Sequence, residues 1–330
     1  TRPGEKRGLA PRGRIPGIPT LTGPAKAARF GERRFSVQIS RARRRSATGA
    51  TLREAPGPHE QRSLKGFLMA KEGTTVIRGL GHSLPPRLVT SEELSSSLGG
   101  DARGLEVRTG ITQRYYAAAG VGPSDLALEA STMALDRAGR GPGDVDFLIF
   151  ATMTPDIAFP GCGCLLQSKL GVAPIGALDI RAQCLGFVFG LLTADSFLRT
   201  GKYDRILVAA GEIHSTSLDF SPGGAGVTPY FGDGAAAAIL ETGDGTEGIV
   251  AGVMHTDATD CERFWCEYPA SRQHPVRMTL ENLRERRHYP QIDFDTLNPM
   301  ARGLLREVIG EVLTSGGYRE EDIAHFFLHY

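Results

Sequence analysis

An α/β fold with a buried mixed or parallel sheet between helical layers is what this sequence predicts, on three observations. Short segments such as Val145-Asp146-Phe147-Leu148-Ile149-Phe150-Ala151 and Ile206-Leu207-Val208-Ala209-Ala210 are apolar on both faces, as strands covered from both sides are. They alternate with helical patterns of ten or more residues. No uninterrupted apolar run approaches the roughly 18 residues of a membrane span, and the 41% apolar and 23% charged content is that of a globular chain in water.

The elements follow in order. Thr75 to Gly81 reads as a short strand ending in glycines, and Ser91-Glu92-Glu93-Leu94 opens a short helix with a capping residue. Ser124 caps a helix running to Ala138, with Leu126, Ala130, Met133 and Leu135 near helical spacing. After the strand 145–151 come a helix around 165–170, a strand 177–180, a long apolar helix from Cys184 to about Arg199 and the strand 206–210. A second cycle starts near Gly248-Ile249-Val250, passes through a helix from about Asn298 to Leu313 and reaches an apolar stretch, 323–328, that reads as a strand. The sequence thus divides into an extension (1–68), a first α/β half (69–243) and a partial second half (244–330).

At 330 residues the chain has room for two domains or one large duplicated domain. Its net charge of +1 conceals a split: residues 1–68 hold 16 Lys/Arg against 4 Glu, leaving 22 basic and 33 acidic residues for the rest. The extension is rich in Arg, Pro and Gly and has no sustained period, so it cannot pack a core. A nucleic-acid-binding arm, an organelle transit peptide and upstream sequence foreign to the native protein all fit it. The last is preferred, with Met69 as the start, because a patterned strand follows Met69 closely and the only aromatic residues before it are Phe30, Phe35 and Phe67. Five cysteines, an odd number with no signal-peptide pattern, speak against a disulfide framework and fit a reducing cytoplasm.

The segment Leu178-Asp179-Ile180-Arg181-Ala182-Gln183-Cys184-Leu185-Gly186-Phe187 sets a cysteine between a buried strand and a buried helix. There the helix dipole favours thiolate, the nucleophilic form, although a small inert core thiol fits the same local pattern. Gly186 permits close helix packing and backbone approach to a bound acyl group. A cysteine nucleophile needs a partner for protons or for a developing oxyanion. His329, after Phe326-Phe327-Leu328, is placed to project from the end of a strand, where α/β folds commonly build sites. His325 falls at that strand's start, and His82, His214, His255 and His288 read as surface or structural residues. Tyr230-Phe231-Gly232-Asp233-Gly234-Ala235 reads as a tight turn before a strand. There is no GxGxxG and no P-loop, and neither Cys162-x-Cys164 nor Cys261-x4-Cys266 has zinc spacing. Arg302 and Arg306 read as a solvated helix face.

Taken together, Arg108-Thr109-Gly110-Ile111 with Arg114, Ala158-Phe159-Pro160, Leu178-Asp179-Ile180 leading to Cys184-Leu185-Gly186-Phe187, Phe231-Gly232-Asp233-Gly234-Ala235 and Phe327-Leu328-His329 resemble, in family order, β-ketoacyl-ACP synthase III of the thiolase-fold superfamily. The resemblance implies a thiolase-like fold of duplicated βαβαβ halves in α/β/α/β/α layers, with the second half incomplete and the chain a fragment lacking its C-terminal part. It implies Cys184 as the acyl-accepting nucleophile, His329 as the catalytic histidine opening the family's His-Gln-Ala-Asn motif, and Phe159 as the residue reaching across a homodimer interface to floor the partner's acyl pocket, which Gly186 and Phe187 also line. The implied substrates are thioesters, an acyl-CoA or acyl-carrier donor and malonyl-acyl carrier protein, with no cofactor, metal, nucleic acid or membrane involved.

The sequence also departs from the family. Tyr330 stands where Gln is usual, and the expected asparagine lies beyond residue 330. Gly104 stands four residues before the motif arginine, where users of short acyl-CoA primers often have tryptophan. Ala225 stands near the place of an arginine that helps hold the coenzyme's nucleotide, and Gln183 and Leu185 flank Cys184 in place of commoner smaller residues. Two other readings therefore stay open beside condensation: an acyltransferase or thioesterase using the same acyl-cysteine, and a catalytically silent thiolase-like subunit.

Overall fold

The computed structural model describes residues 73–329; the expectation for residues 1–68 falls outside them. A mixed five-stranded sheet organises the first half, built from β1 (Thr75–Ser83), β4 (Phe147–Ala151), β5 (Gly176–Ile180), β6 (Arg205–Ile213) and β7 (Asp233–Thr242) in the order β1-β7-β6-β4-β5. β4 runs parallel to both β5 and β6, while β7 is antiparallel to β6 and β1.

Alternation along the strands sorts side chains to two faces. On one, Leu148, Phe150, Leu207, Ala209, Ala237 and Ile239 meet α3 (Pro123–Ala138) and α4 (Cys162–Leu170). On the other, Ile149, Ile206, Val208, Ala238 and Leu240 meet α5 (Gly186–Arg199) through Ala194 and Leu198. All five residues of β4 are buried, as its doubly apolar sequence predicts. β1 runs through its glycines instead of ending at them, and the reason is packing. A Cβ on Gly79 would lie 2.1 Å from the carbonyl oxygen of Ala134, and one on Gly81 would lie 1.9 Å from that of Ala130. The glycines let β1 touch the backbone of α3. Gly81→Ala is therefore expected to push α3 off the sheet and cost more than about 2 kcal/mol, read as a lowered denaturant midpoint.

A satellite unit is inserted between β1 and β4. β2 (Arg87–Thr90) pairs with β3 (Gln113–Tyr116), and between them lie α1 (Ser91–Leu98), capped by Thr90, and α2 (Ala102–Thr109), capped by Asp101. Val89, Leu94, Leu98, Leu105 and Tyr116 form its core, with Ala225 packed against it.

The second cycle departs from expectation. Ile249 makes one bridge to Thr75 and no strand; β8 (Phe264–Trp265) and β9 (Gln291–Ile292) form a two-residue ladder; α6 (Leu280–Arg284) lies between them. The expected helix extends over α7 (Phe294–Gly316), with Leu304, Leu305, Arg302 and Arg306 exposed. The stretch 323–328, expected as a strand, is not one, and Phe327 is 94% exposed. A strand exists only against a ladder partner, and no described residue supplies one there. Among the described residues no helix is long and apolar enough to cross a membrane.

Candidate active site

Parallel strands β4 and β5 end beside each other, with Ala151 paired to Ile180. Beyond Ile180 the chain turns through a short 3-10 segment, Gln183–Leu185, before α5 begins at Gly186. Gln183 adopts φ +47°, a left-handed conformation that costs a non-glycine residue roughly 1–2 kcal/mol. The turn delivers Cys184 to the start of α5 with an exposed side. Gly186 makes this possible: a Cβ there would lie 2.9 Å from the Cβ of Ala151, so α5 enters in contact with the end of β4. Phe187 follows, half-buried against the α5 side of the core.

The thiol's electrostatics differ from the expectation drawn from the helix dipole. Although Cys184 is open to solvent on one side, the packed wall behind its sulfur raises the pKa above the ordinary thiol value, a backbone hydrogen bond opposes this, and the Glu212 carboxylate adds to the rise. Desolvation and a nearby anion both disfavour thiolate, and neither is visible in the local sequence.

Glu212, which no motif singled out, is the penultimate residue of β6, its carboxylate held by the segment after β4. Met153 N donates to it at 2.9 Å, Thr152 Oγ1 at 3.3 Å, and Thr154 Oγ1 through a short bond. Burial raises its pKa, while these hydrogen bonds pull it down. Its sequence signal was a carboxylate two residues after the apolar run of β6.

The remaining motif residues have definite places. Asp233, at the head of β7, is 4% exposed and accepts from Ala117 N at 2.7 Å, Ser215 N at 2.9 Å and Ser215 Oγ. The Phe231-to-Ala235 motif is thus a three-way joint as well as a turn. Arg114 is buried and donates to Ser91 Oγ and to the carbonyls of Ile111 and Pro229; burial lowers its pKa. Arg108, exposed on α2, donates to the carbonyl of Ala225.

Phe159 projects from the loop between β4 and α4 and is 82% exposed. His329 is exposed, and no hydrogen bond, ion pair or ring contact joins it to Cys184 among the described residues. The structure brings together Cys184, Gly186 and Phe187, with Glu212 behind them. No contact joins His329 to them among the described residues, and the strand expected to carry it is not formed. Of the other histidines, His255 pairs with Glu311 of α7 at 2.6 Å, and burial lowers the pKa of His214, which lies against Phe231. Cys162 is buried with its pKa pushed up to about 12, a thiol without nucleophilic character.

Fold and site together define a thiolase-like α/β protein with a cysteine at the head of a central helix. The same fold occurs in the priming β-ketosynthase of the R1128 polyketide pathway, at TM-score 0.68 and 23% identity over 78% of this chain and 75% of that one. Residues 178–258 match the family model for 3-oxoacyl-[acyl-carrier-protein] synthase III. The chain is 36% identical over 218 residues to β-ketoacyl-[acyl-carrier-protein] synthase III of Cereibacter sphaeroides, covering 64% of this chain and 67% of the relative. It is also similar to the 3-oxoacyl-ACP synthase III structures from Aquifex aeolicus (TM-score 0.67, 28% identity) and Pseudomonas aeruginosa (TM-score 0.67, 27% identity), each over 76% of this chain and 74% of the other. The chain belongs to the β-ketoacyl-ACP synthase III family, and with it to the condensing transferases of fatty-acid biosynthesis.

Proposed function

We propose that Cys184 takes an acyl group from a thioester and passes it to the carbanion of decarboxylating malonyl-ACP. The observation that carries this reading is the Cys184 turn itself: a reachable sulfur at the start of α5, held there by Gly186 against the end of β4. In the first half-reaction the Cys184 sulfur attacks the thioester carbonyl, the bond from that carbon to the donor sulfur breaks, and the proton lost by Cys184 leaves on the released donor thiol. In the second, malonyl-ACP loses carbon dioxide. The electron pair of the broken carbon–carbon bond attacks the acyl-enzyme carbonyl, and the bond to Cys184 Sγ breaks to release β-ketoacyl-ACP. The covalent intermediate divides one difficult step into two easier ones.

His329 is assigned to the malonyl half-reaction, donating a hydrogen bond to the thioester oxygen as charge develops, a contribution of about 2.7–4 kcal/mol per donor. Phe159, with its ring in solvent on a loop next to the edge strand β5, fits the floor of a partner's acyl pocket in a homodimer. Gly104 and Ala225 offer neither an indole nor a guanidinium to a coenzyme nucleotide, which favours a carrier-bound acyl donor over a free acyl-CoA.

Intact-mass spectrometry of the full chain with acetyl-CoA, octanoyl-CoA and the matching acyl-ACPs tests the reading. A single acyl adduct, mapped by peptide mass to Cys184 and formed faster from ACP than from CoA, is the expected result. Absence of any adduct in a folded protein would refute it in favour of a catalytically silent subunit. Rapid loss of the adduct to water, with no β-keto product from malonyl-ACP, would favour a thioesterase.

A further inference from the structure

The clamp around Glu212 has a position the condensation chemistry does not require. Along β6 the even-numbered residues Ile206 and Val208 face α5, and the ladder to β7 continues without a shift through Glu212 opposite Gly234. Strand alternation therefore places Glu212 on the α5 face, one pleat beyond Ala210. Ala210 is paired to Ala151, and Ala151 is the residue against which Gly186 packs. A carboxylate thus sits on the Cys184 side of the sheet, at the strand ends, where an apolar or hydroxyl side chain would fill the same space.

Its three donors all belong to one segment. Thr152, Met153 and Thr154 bond the carboxylate, Ile213 N donates back to Thr154 Oγ1 at 2.9 Å, and Thr152 N donates to the carbonyl of Ile180 at 3.2 Å. Ile180 opens the Cys184 turn, and Thr154 opens the loop to Phe159. We propose that Glu212 is a positioning residue for Cys184: clamped by the Thr152–Thr154 segment, its carboxylate fixes the loop that leads to Phe159 and holds a negative charge beside the sulfur. This rests on the reading of Cys184 as the nucleophile.

The charged groups on the surrounding elements point elsewhere. Asp179 of β5 faces α4, where it accepts from Gly163 N; Asp156 binds Ser124 and Cys162; the charge of Arg181 acts on Cys266. Glu212 is, among the described residues, the group whose charge acts on the Cys184 sulfur, and it acts to hold the proton on. The consequence is a resting thiol that ionises less readily and so reacts more slowly with alkylating agents.

The test is the pH profile of iodoacetamide alkylation at Cys184, read by peptide mass on the full chain between pH 6 and 10. In the wild type the rate is expected to keep rising above the ordinary thiol range near about pH 8.5. Glu212→Gln preserves shape and removes the charge, so its profile is expected to move to lower pH, with alkylation roughly two- to fourfold faster at pH 7.5. Glu212→Asp keeps the charge and is expected to follow the wild type. A Gln profile superimposed on the wild type, or Gln and Asp profiles shifted equally, would overturn the proposal. Should Glu212→Gln fail to fold, Thr154→Val retains the charge but loosens the clamp. Faster amide exchange across 152–161 is then expected, and unchanged exchange would overturn it. Alkylation needs no acyl donor, so a protein that takes no acyl group from any thioester refutes the nucleophile reading while this profile remains readable.

Discussion

Cys184→Ala is expected to lower formation of β-ketoacyl product by a factor on the order of 10³ or more while leaving the fold intact. The sulfur is the atom on which the acyl group rests between the two half-reactions, and alanine offers no substitute for it. The fold should survive because Cys184 lies in an exposed turn outside all three core clusters, and substitutions at such positions usually change stability by less than about 0.5 kcal/mol. The measurement pairs product formation from an acyl thioester and malonyl-ACP with a thermal melt of the same preparation. A rate within tenfold of wild type would remove Cys184 from the chemistry. A collapsed melt would show that the turn carries more of the fold than its exposure indicates.

The second large effect is structural. Asp233→Ala removes a buried carboxylate that accepts from Ala117 N, Ser215 N and Ser215 Oγ, and so leaves donors from two other segments without an acceptor. Stranding buried groups formerly bonded to a charge costs about 3–5 kcal/mol, a large fraction of a domain's total stability. Asp233→Asn retains one carbonyl oxygen and should lose less. Urea unfolding followed by circular dichroism separates the two, with the midpoint ordered wild type, Asn, Ala. An Ala variant within 1 kcal/mol of wild type would mean that the segments around Ala117 and Ser215 relax to satisfy their own donors. Because these segments meet at the head of β7, activity is expected to fall with stability in this variant, unlike Cys184→Ala.

How far these residues could be read in advance varied with the range of the forces that place them. β4 was legible because five consecutive apolar residues between turns have few alternatives to a doubly covered strand, and α3 and α5 because their apolar residues recur at helical spacing over several turns. The short helix α2, which carries Arg108 and Thr109 of the motif, and the antiparallel pair β2–β3 are not legible in the sequence. At eight and four residues they are too short to show a period, and they are stabilised by their shared satellite core.

By itself the sequence determined the strand–helix alternation, the cysteine at the junction of β5 and α5, the glycine two residues beyond it and the family these motifs resemble. All of these are written in contiguous residues, whose spacing sets their geometry directly. Tertiary structure alone decided the rest. The stretch 323–328 has strand composition but no described ladder partner, so the strand expected before His329 is not formed. Glu212 reaches the Cys184 side through the register of β6 against β4 and β7, between residues far apart in the chain. The thiol's proton is held by burial and by that carboxylate, where the local helix start alone pointed the other way. Desolvation and charge depend on what is folded around a group, and a linear pattern carries no measure of either.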